Sequence, residues 1–128
     1  MQDRPTAGEL LEVVAQFLER EIVPTTQGSR RFQALVAANV MRIVTREIQL
    51  EESHMREEVS ALAALLERPH PSTDTVEELR RSAQSLNQEL CERIRAGELD
   101  SESARARTVE ALRRIVQNKL VIANPRYL

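Results

Sequence analysis

The chain has 128 residues, 18 Lys and Arg against 20 Asp and Glu, 41% hydrophobic and 2% aromatic residues, and a single cysteine. That length suffices for one core without staples, the lone Cys91 excludes an intrachain disulfide, and with only His54 and His70 beside it a four-ligand zinc site is excluded too. A net charge of −2 argues against sequence-independent nucleic-acid binding, which draws on an excess of positive charge.

Charges of both signs at Asp3 and Arg4, and acidic interruptions at Glu9, Glu12 and Glu19, leave no room for a signal-peptide apolar region. No uninterrupted apolar stretch approaches the roughly 20 residues of a membrane span, so a cytoplasmic protein is expected. Of the 18 basic residues only Lys119 is lysine, a bias expected of a GC-rich bacterial genome rather than of a function.

Thr6 followed by Glu9 is a capping-box pattern, in which each side chain satisfies an orphan backbone N–H. It opens a first predicted helix from Ala7 to Ile22, with Leu10, Leu11, Val14, Phe17, Leu18 and Ile22 inward and Pro24 as its stop. Ser29 is the expected cap of a second helix from Arg30 to Ile48. Its apolar residues Phe32, Leu35, Val36, Val40, Met41, Ile43, Val44 and Ile48 cover most of the circumference, which predicts a helix surrounded by the others. The downstream stripe of Met55, Val59, Leu62 and Leu66 is offset by about 100° on a straight helix, which predicts a bend or break near Leu50 to Ser53.

Arg68-Pro69-His70-Pro71-Ser72 is a proline-containing linker, near 68–73, and Ser72, Thr73 or Asp74 is expected to cap the fourth helix. Val76, Leu79, Ala83, Leu86, Leu90 and Ile94 form its narrow stripe, and Gly97 closes it. A fifth helix starts at Asp100 or Ser101, buries Val109, Leu112, Ile115, Val116 and Leu120, and stops before Asn124-Pro125. The expected fold is all-α: a single domain over 1–128, an antiparallel bundle of about five helices with the second at its centre.

Catalytic patterns are scarce. Gly8, Gly28 and Gly97 are too scattered for a phosphate loop, and Cys91 reads as a packed thiol. Glu51-x-x-His54 has no second copy, so neither a di-metal site nor any cofactor is expected. Arginine pairs at Arg30-Arg31, Arg80-Arg81 and Arg113-Arg114 have glutamates nearby and read mainly as solvated faces.

Polar residues that interrupt apolar arcs carry more information: Asn39, Glu47 and, at the edge, Arg46 on the second helix, with Arg105 and Lys119 on the fifth. A buried charge costs several kcal/mol unless it is paired. The plainer reading pairs Glu47 with Arg105, Lys119 or Arg46. The sharper one makes Asn39, Arg46, Glu47 and Lys119 a polar pocket for a ligand or partner side chain, and an enzymatic variant makes a buried Glu47 a general base. The closing Arg126-Tyr127-Leu128 offers interface-type side chains in a chain poor in aromatics. The alternative is that this tail folds back on the bundle.

Met1-Gln2-Asp3-Arg4-Pro5-Thr6-Ala7, Ala37-Ala38-Asn39 with Arg46-Glu47, Ile94-Arg95-Ala96-Gly97, and Lys119-Leu120 with Asn124-Pro125-Arg126-Tyr127-Leu128 together resemble a family of small bacterial all-helical proteins classed as a domain of unknown function. The family is typically encoded beside aminoglycoside-phosphotransferase-like kinases and acyl-CoA dehydrogenases. The resemblance implies an accessory role, with such a kinase or dehydrogenase as partner, and it carries no catalytic residue over. The combined expectation is a non-enzymatic partner protein, with a small-molecule bundle holding an acyl or CoA-like ligand as the alternative and a homo-oligomer as a further possibility.

Overall fold

The structure, a computed structural model, describes residues 3–128, so Met1 and Gln2 of the N-terminal motif lie outside the described residues. Among the described residues there are four α-helices: α1 (Ala7–Phe17), α2 (Gly28–Leu65), α3 (Val76–Arg95) and α4 (Glu102–Ala123). Among the described residues there is no strand. The contacts gather into two compact units, one of residues up to Leu50 with Val121–Tyr127, the other of Glu51–Leu120 with Leu128.

The capping rules operate as expected at the ends. Thr6 N–H donates to Glu9 Oε2 at 2.7 Å and Glu9 N–H to Thr6 Oγ1 at 3.3 Å. Gly97 takes φ +76° after the C-cap Ala96, with Glu98 N–H reaching back to the Arg93 carbonyl at 3.1 Å. Ser101 Oγ accepts from Ala104 N–H at 3.3 Å. Two expected caps move. Thr75, not Ser72, Thr73 or Asp74, caps α3, and its box with Glu78 is complete in both directions. At α2 the helix has already begun at Gly28, one residue before Ser29.

In place of the expected second and third helices there is one continuous helix of 38 residues, with no break at Leu50 to Ser53. No Pro or Gly falls between Ser29 and Arg68, so the backbone has no reason to break. The shift in apolar phase has another cause. The helix changes packing partners along its length, its first half belonging to one unit and its second half to the other.

In the first unit, Gly8 lies beside Thr45 and Gln49 while Glu12 reaches Arg42, so α1 and the first half of α2 run in opposite directions. Their buried residues are small: Ala15, Ala34 and Ala38. This overturns the expectation of a surrounded second helix. Small residues at the buried positions permit a close approach of backbones, and the larger Leu10, Val14, Phe17, Phe32, Leu35, Val36, Val40 and Ile48 are all exposed. Beyond Phe17 the first helix widens into a π turn over Leu18–Ile22 and ends in a 3₁₀ turn, Val23–Thr25, around Pro24.

The main core lies in the second unit. Leu62, Leu66, Leu90 and Ile115 pack together with Leu65, Leu86, Leu99 and Leu112 against them, and Val59, Leu79 and Ala83 form a second cluster with Met55. Here α3 runs parallel to α2, against the antiparallel expectation. Arg80 bonds Glu51 and Asn87 bonds Glu58, the same offset of 29 residues at two places one heptad apart. The linker explains this. Arg56 Nη1 donates to the Thr73 carbonyl at 3.4 Å, so the segment with Pro69 and Pro71 returns alongside α2 before α3 begins. Ten extended residues reach at most about 33–36 Å, enough to retrace the roughly 22 Å of fifteen helical ones.

On α4 the buried residues are Ala104, Thr108 and Ile115, while Val109 and Val116, expected inward, are about half exposed. Cys91, expected to be packed, is exposed. Leu90 beside it is buried, whereas Ile94, expected in the same stripe, is 45% exposed.

Candidate functional site

One helical line on α2 carries Leu35, Asn39, Arg42 and Arg46, spaced four, three and four residues apart. Such a line points in one direction. It forms a wall of a cleft of about 600 Å³, completed by Glu19 from the π turn and by Ala123, Asn124, Pro125, Arg126 and Tyr127 from the end of α4 and the turn after it. All of these residues belong to the first unit.

Two contacts shape the cleft. Arg46 Nε donates to the carbonyl of Ile122 at 2.7 Å, which ties α2 to the last turn of α4 and brings the Pro125–Tyr127 turn to the cleft. The second is the Arg42 guanidinium, which grips both oxygens of Glu19, with Nη2 to Oε2 at 2.9 Å, and stands 3.6 Å from Glu12. The hydrogen bond from Arg42 holds the Glu19 carboxyl below its ordinary range, and the same bond raises Arg42. The π turn shifts the register of α1 by one residue just where Glu19 meets Arg42.

Of the six residues singled out from sequence, four meet here: Asn39, Arg46, Arg126 and Tyr127. Glu47 and Lys119 do not. Glu47, expected inside the apolar arc, is exposed, so the burial that would make it a general base is absent. Lys119 is also exposed, and its Nζ lies 3.7 Å from Glu58 Oε1 in the second unit rather than against Glu47. Arg105, another expected partner of Glu47, is exposed and lies 3.8 Å from Asp100. The buried carboxylate of this protein is Glu58, which accepts from Asn87 Nδ2 at 2.7 Å. Sequence reasoning missed Arg42 and Glu19. The heptad line through Leu35, Asn39, Arg42 and Arg46 was the available signal for the first, and the π turn hid the second.

The tail does not fold its side chains away. Tyr127 N–H donates to the Asn124 carbonyl at 3.1 Å, closing the turn, while the Tyr127 side chain remains 78% exposed. A larger concavity of about 840 Å³ lies along α3, lined by Arg68, Glu89 and Arg93 among others. Both arginines there already hold Glu89, at 3.0 and 2.6 Å, so its charge is internally matched. Among the described residues no group of three or more His, Cys, Asp and Glu could hold a metal, and no helix is long and apolar enough to cross a membrane.

Comparison with curated proteins and with solved structures gives no match. Residues 24–127, from Pro24 to Tyr127, match the family described as domain of unknown function DUF6285. The match takes in α2, α3, α4 and every residue of the cleft except Glu19, and the chain belongs to that family.

Proposed function

We propose that the chain is a non-enzymatic interaction protein of the bacterial cytoplasm, an accessory partner of a phosphotransferase-like kinase or an acyl-CoA dehydrogenase. The observation that carries this reading is the inversion of the α1–α2 hairpin. Alanine fills its seam while nine large apolar side chains of the same unit, Leu10, Val13, Val14, Phe17, Phe32, Leu35, Val36, Val40 and Ile48, stay 43–67% exposed. Single exposed apolar residues are ordinary, but on α1 Leu10, Val13, Val14 and Phe17 follow one face, as do Phe32, Leu35, Val36 and Val40 on α2. Contiguous apolar surface of several hundred Å² marks a docking face on a protein that stays in solution.

The kinase or dehydrogenase follows from the gene neighbourhood that the family resemblance implies. Tagged protein captured from native lysate is expected to retain such an enzyme, and a variant carrying Phe17→Asp and Phe32→Asp, both at exposed positions, is expected to lose it while keeping its helical content. Recovery of nothing by a folded monomer, or retention of the enzyme by the double variant, overturns the reading.

A further inference from the structure

We propose that the arginine cleft of the first unit binds an organic phosphate of nucleotide size, with Arg46, Arg126 and Asn39 on the phosphate and Tyr127 against the flat ring. The inference does not rest on the docking face of α1 and α2, with which the cleft shares only Leu35.

Charge is the first argument. Three arginines, Arg42, Arg46 and Arg126, line the cleft with one acidic residue, Glu19. Arg42 is committed to Glu19, with Glu12 at 3.6 Å, so the carboxylates there that would repel an anion are held by a cation. Arg46 spends only its Nε on the Ile122 carbonyl. Its two terminal nitrogens remain, and among the described residues no carboxylate stands within ion-pair distance of Arg46 or Arg126. Two guanidinium side chains that line one cleft from different elements suit an anion with three acceptor oxygens, and Asn39 adds an amide to the same lining.

Size and shape are the second. A volume of about 600 Å³ falls in the range of small-molecule sites and far exceeds a bare phosphate. The rest of the wall is apolar or flat: Leu35, Ala123, Pro125 and the exposed Tyr127 ring. An aromatic ring with a free face beside cations is a platform for a nucleobase. The cleft therefore combines a phosphate end and a ring end.

Calorimetric titration of the full chain at low ionic strength tests this, with ADP, inorganic phosphate and adenosine as probes. ADP is expected to bind more tightly than either fragment and to weaken as salt is raised. Arg126→Ser, at an exposed position, is expected to weaken ADP roughly tenfold or more, the worth of a charge-assisted bond, with an unchanged thermal midpoint. Arg30→Ser, which removes an exposed arginine outside the cleft, is expected to leave binding alone. Glu19→Gln is expected to tighten ADP, because it removes the opposing charge and frees Arg42. No binding of ADP at millimolar concentration overturns the proposal, and so does equal affinity for ADP and inorganic phosphate. Equal weakening by Arg30→Ser and Arg126→Ser overturns it as well.

Discussion

Arg46 Nε donates to the carbonyl of Ile122 at 2.7 Å, joining residues 76 positions apart in the chain. Ile122 lies in the last turn of α4, where helix carbonyls have no partner of their own and a cation also meets the negative end of the helix dipole. One side chain thus caps α4 and fixes the turn that closes the cleft. Arg46→Met is expected to cost about 1.5–3 kcal/mol, the range for a hydrogen bond to a charged group, with the lower end favoured by partial exposure. Urea denaturation of the two proteins measures it. Arg46→Lys, which lacks the Nε geometry, is expected to recover less than half of the loss.

The second unit has the better-filled core, and its stability is expected to respond accordingly. Leu62 and Leu79 are fully buried in neighbouring clusters. Either one changed to Ala is expected to cost about 2–5 kcal/mol, the transfer term plus the cavity left behind. Phe32→Ala, at a residue 67% exposed, is expected to cost far less. If both substitutions cost the same, the division into a filled core and an open hairpin is wrong.

Local signals carried most of the fold. The box of Thr6 and Glu9, the left-handed Gly97 and the cap at Ser101 act over three or four residues, and local sequence determines them. The longer-range readings failed where one helix serves two sets of neighbours. A phase shift between the stripes through Ile43 and Val59 looks identical in sequence whether the helix breaks or changes partner. Alanine misled in the same way. Ala15, Ala34 and Ala38 carry little hydrophobic weight, so the apolar periodicity points Leu10, Phe17 and Val36 inward, although close approach of backbones favours the small residue. At the site, Asn39, Arg46, Arg126 and Tyr127 stood out as polar or aromatic residues in unusual places. Their convergence depends on the Ile122 contact, which no local pattern reports.

At the end of α2, Glu67 takes φ +54°, a left-handed conformation that costs a residue with a Cβ about 1–2 kcal/mol. The backbone there is nonetheless in use, since Arg68 N–H bonds the Ala63 carbonyl at 2.8 Å in the closing pattern of a helix C-terminus. Glu67→Gly is expected to stabilise the protein by about 0.5–1 kcal/mol, the relief of strain less the greater freedom of glycine in the unfolded chain. A rise in the thermal midpoint checks it. A fall would mean that the Glu67 side chain contributes more than its backbone strain costs.

Three carboxylates are held below their ordinary range by groups that form only on folding. For Glu78 the largest cause is the hydrogen bond from Asp74 N–H, followed by that from Thr75 N–H, for Glu89 it is the Arg68 guanidinium with Arg93 behind it, and for Glu19 it is Arg42. A carboxyl whose folded pKa is depressed stabilises the fold at any pH above its unfolded value, about 4.3 for glutamate, and the gain is lost as pH falls through the folded value. Arginines raised by the same pairs stay charged throughout this range. The thermal midpoint is therefore expected to be level between neutral pH and about 5 and to fall below about 4.3. All three groups are near solvent, so the fall is expected to be shallower in high salt, where their partners are screened. Glu19→Gln, Glu78→Gln and Glu89→Gln in one chain are expected to lower the midpoint at neutral pH and to flatten the acid limb. An acid limb of unchanged steepness in that triple variant would assign acid unfolding to other groups.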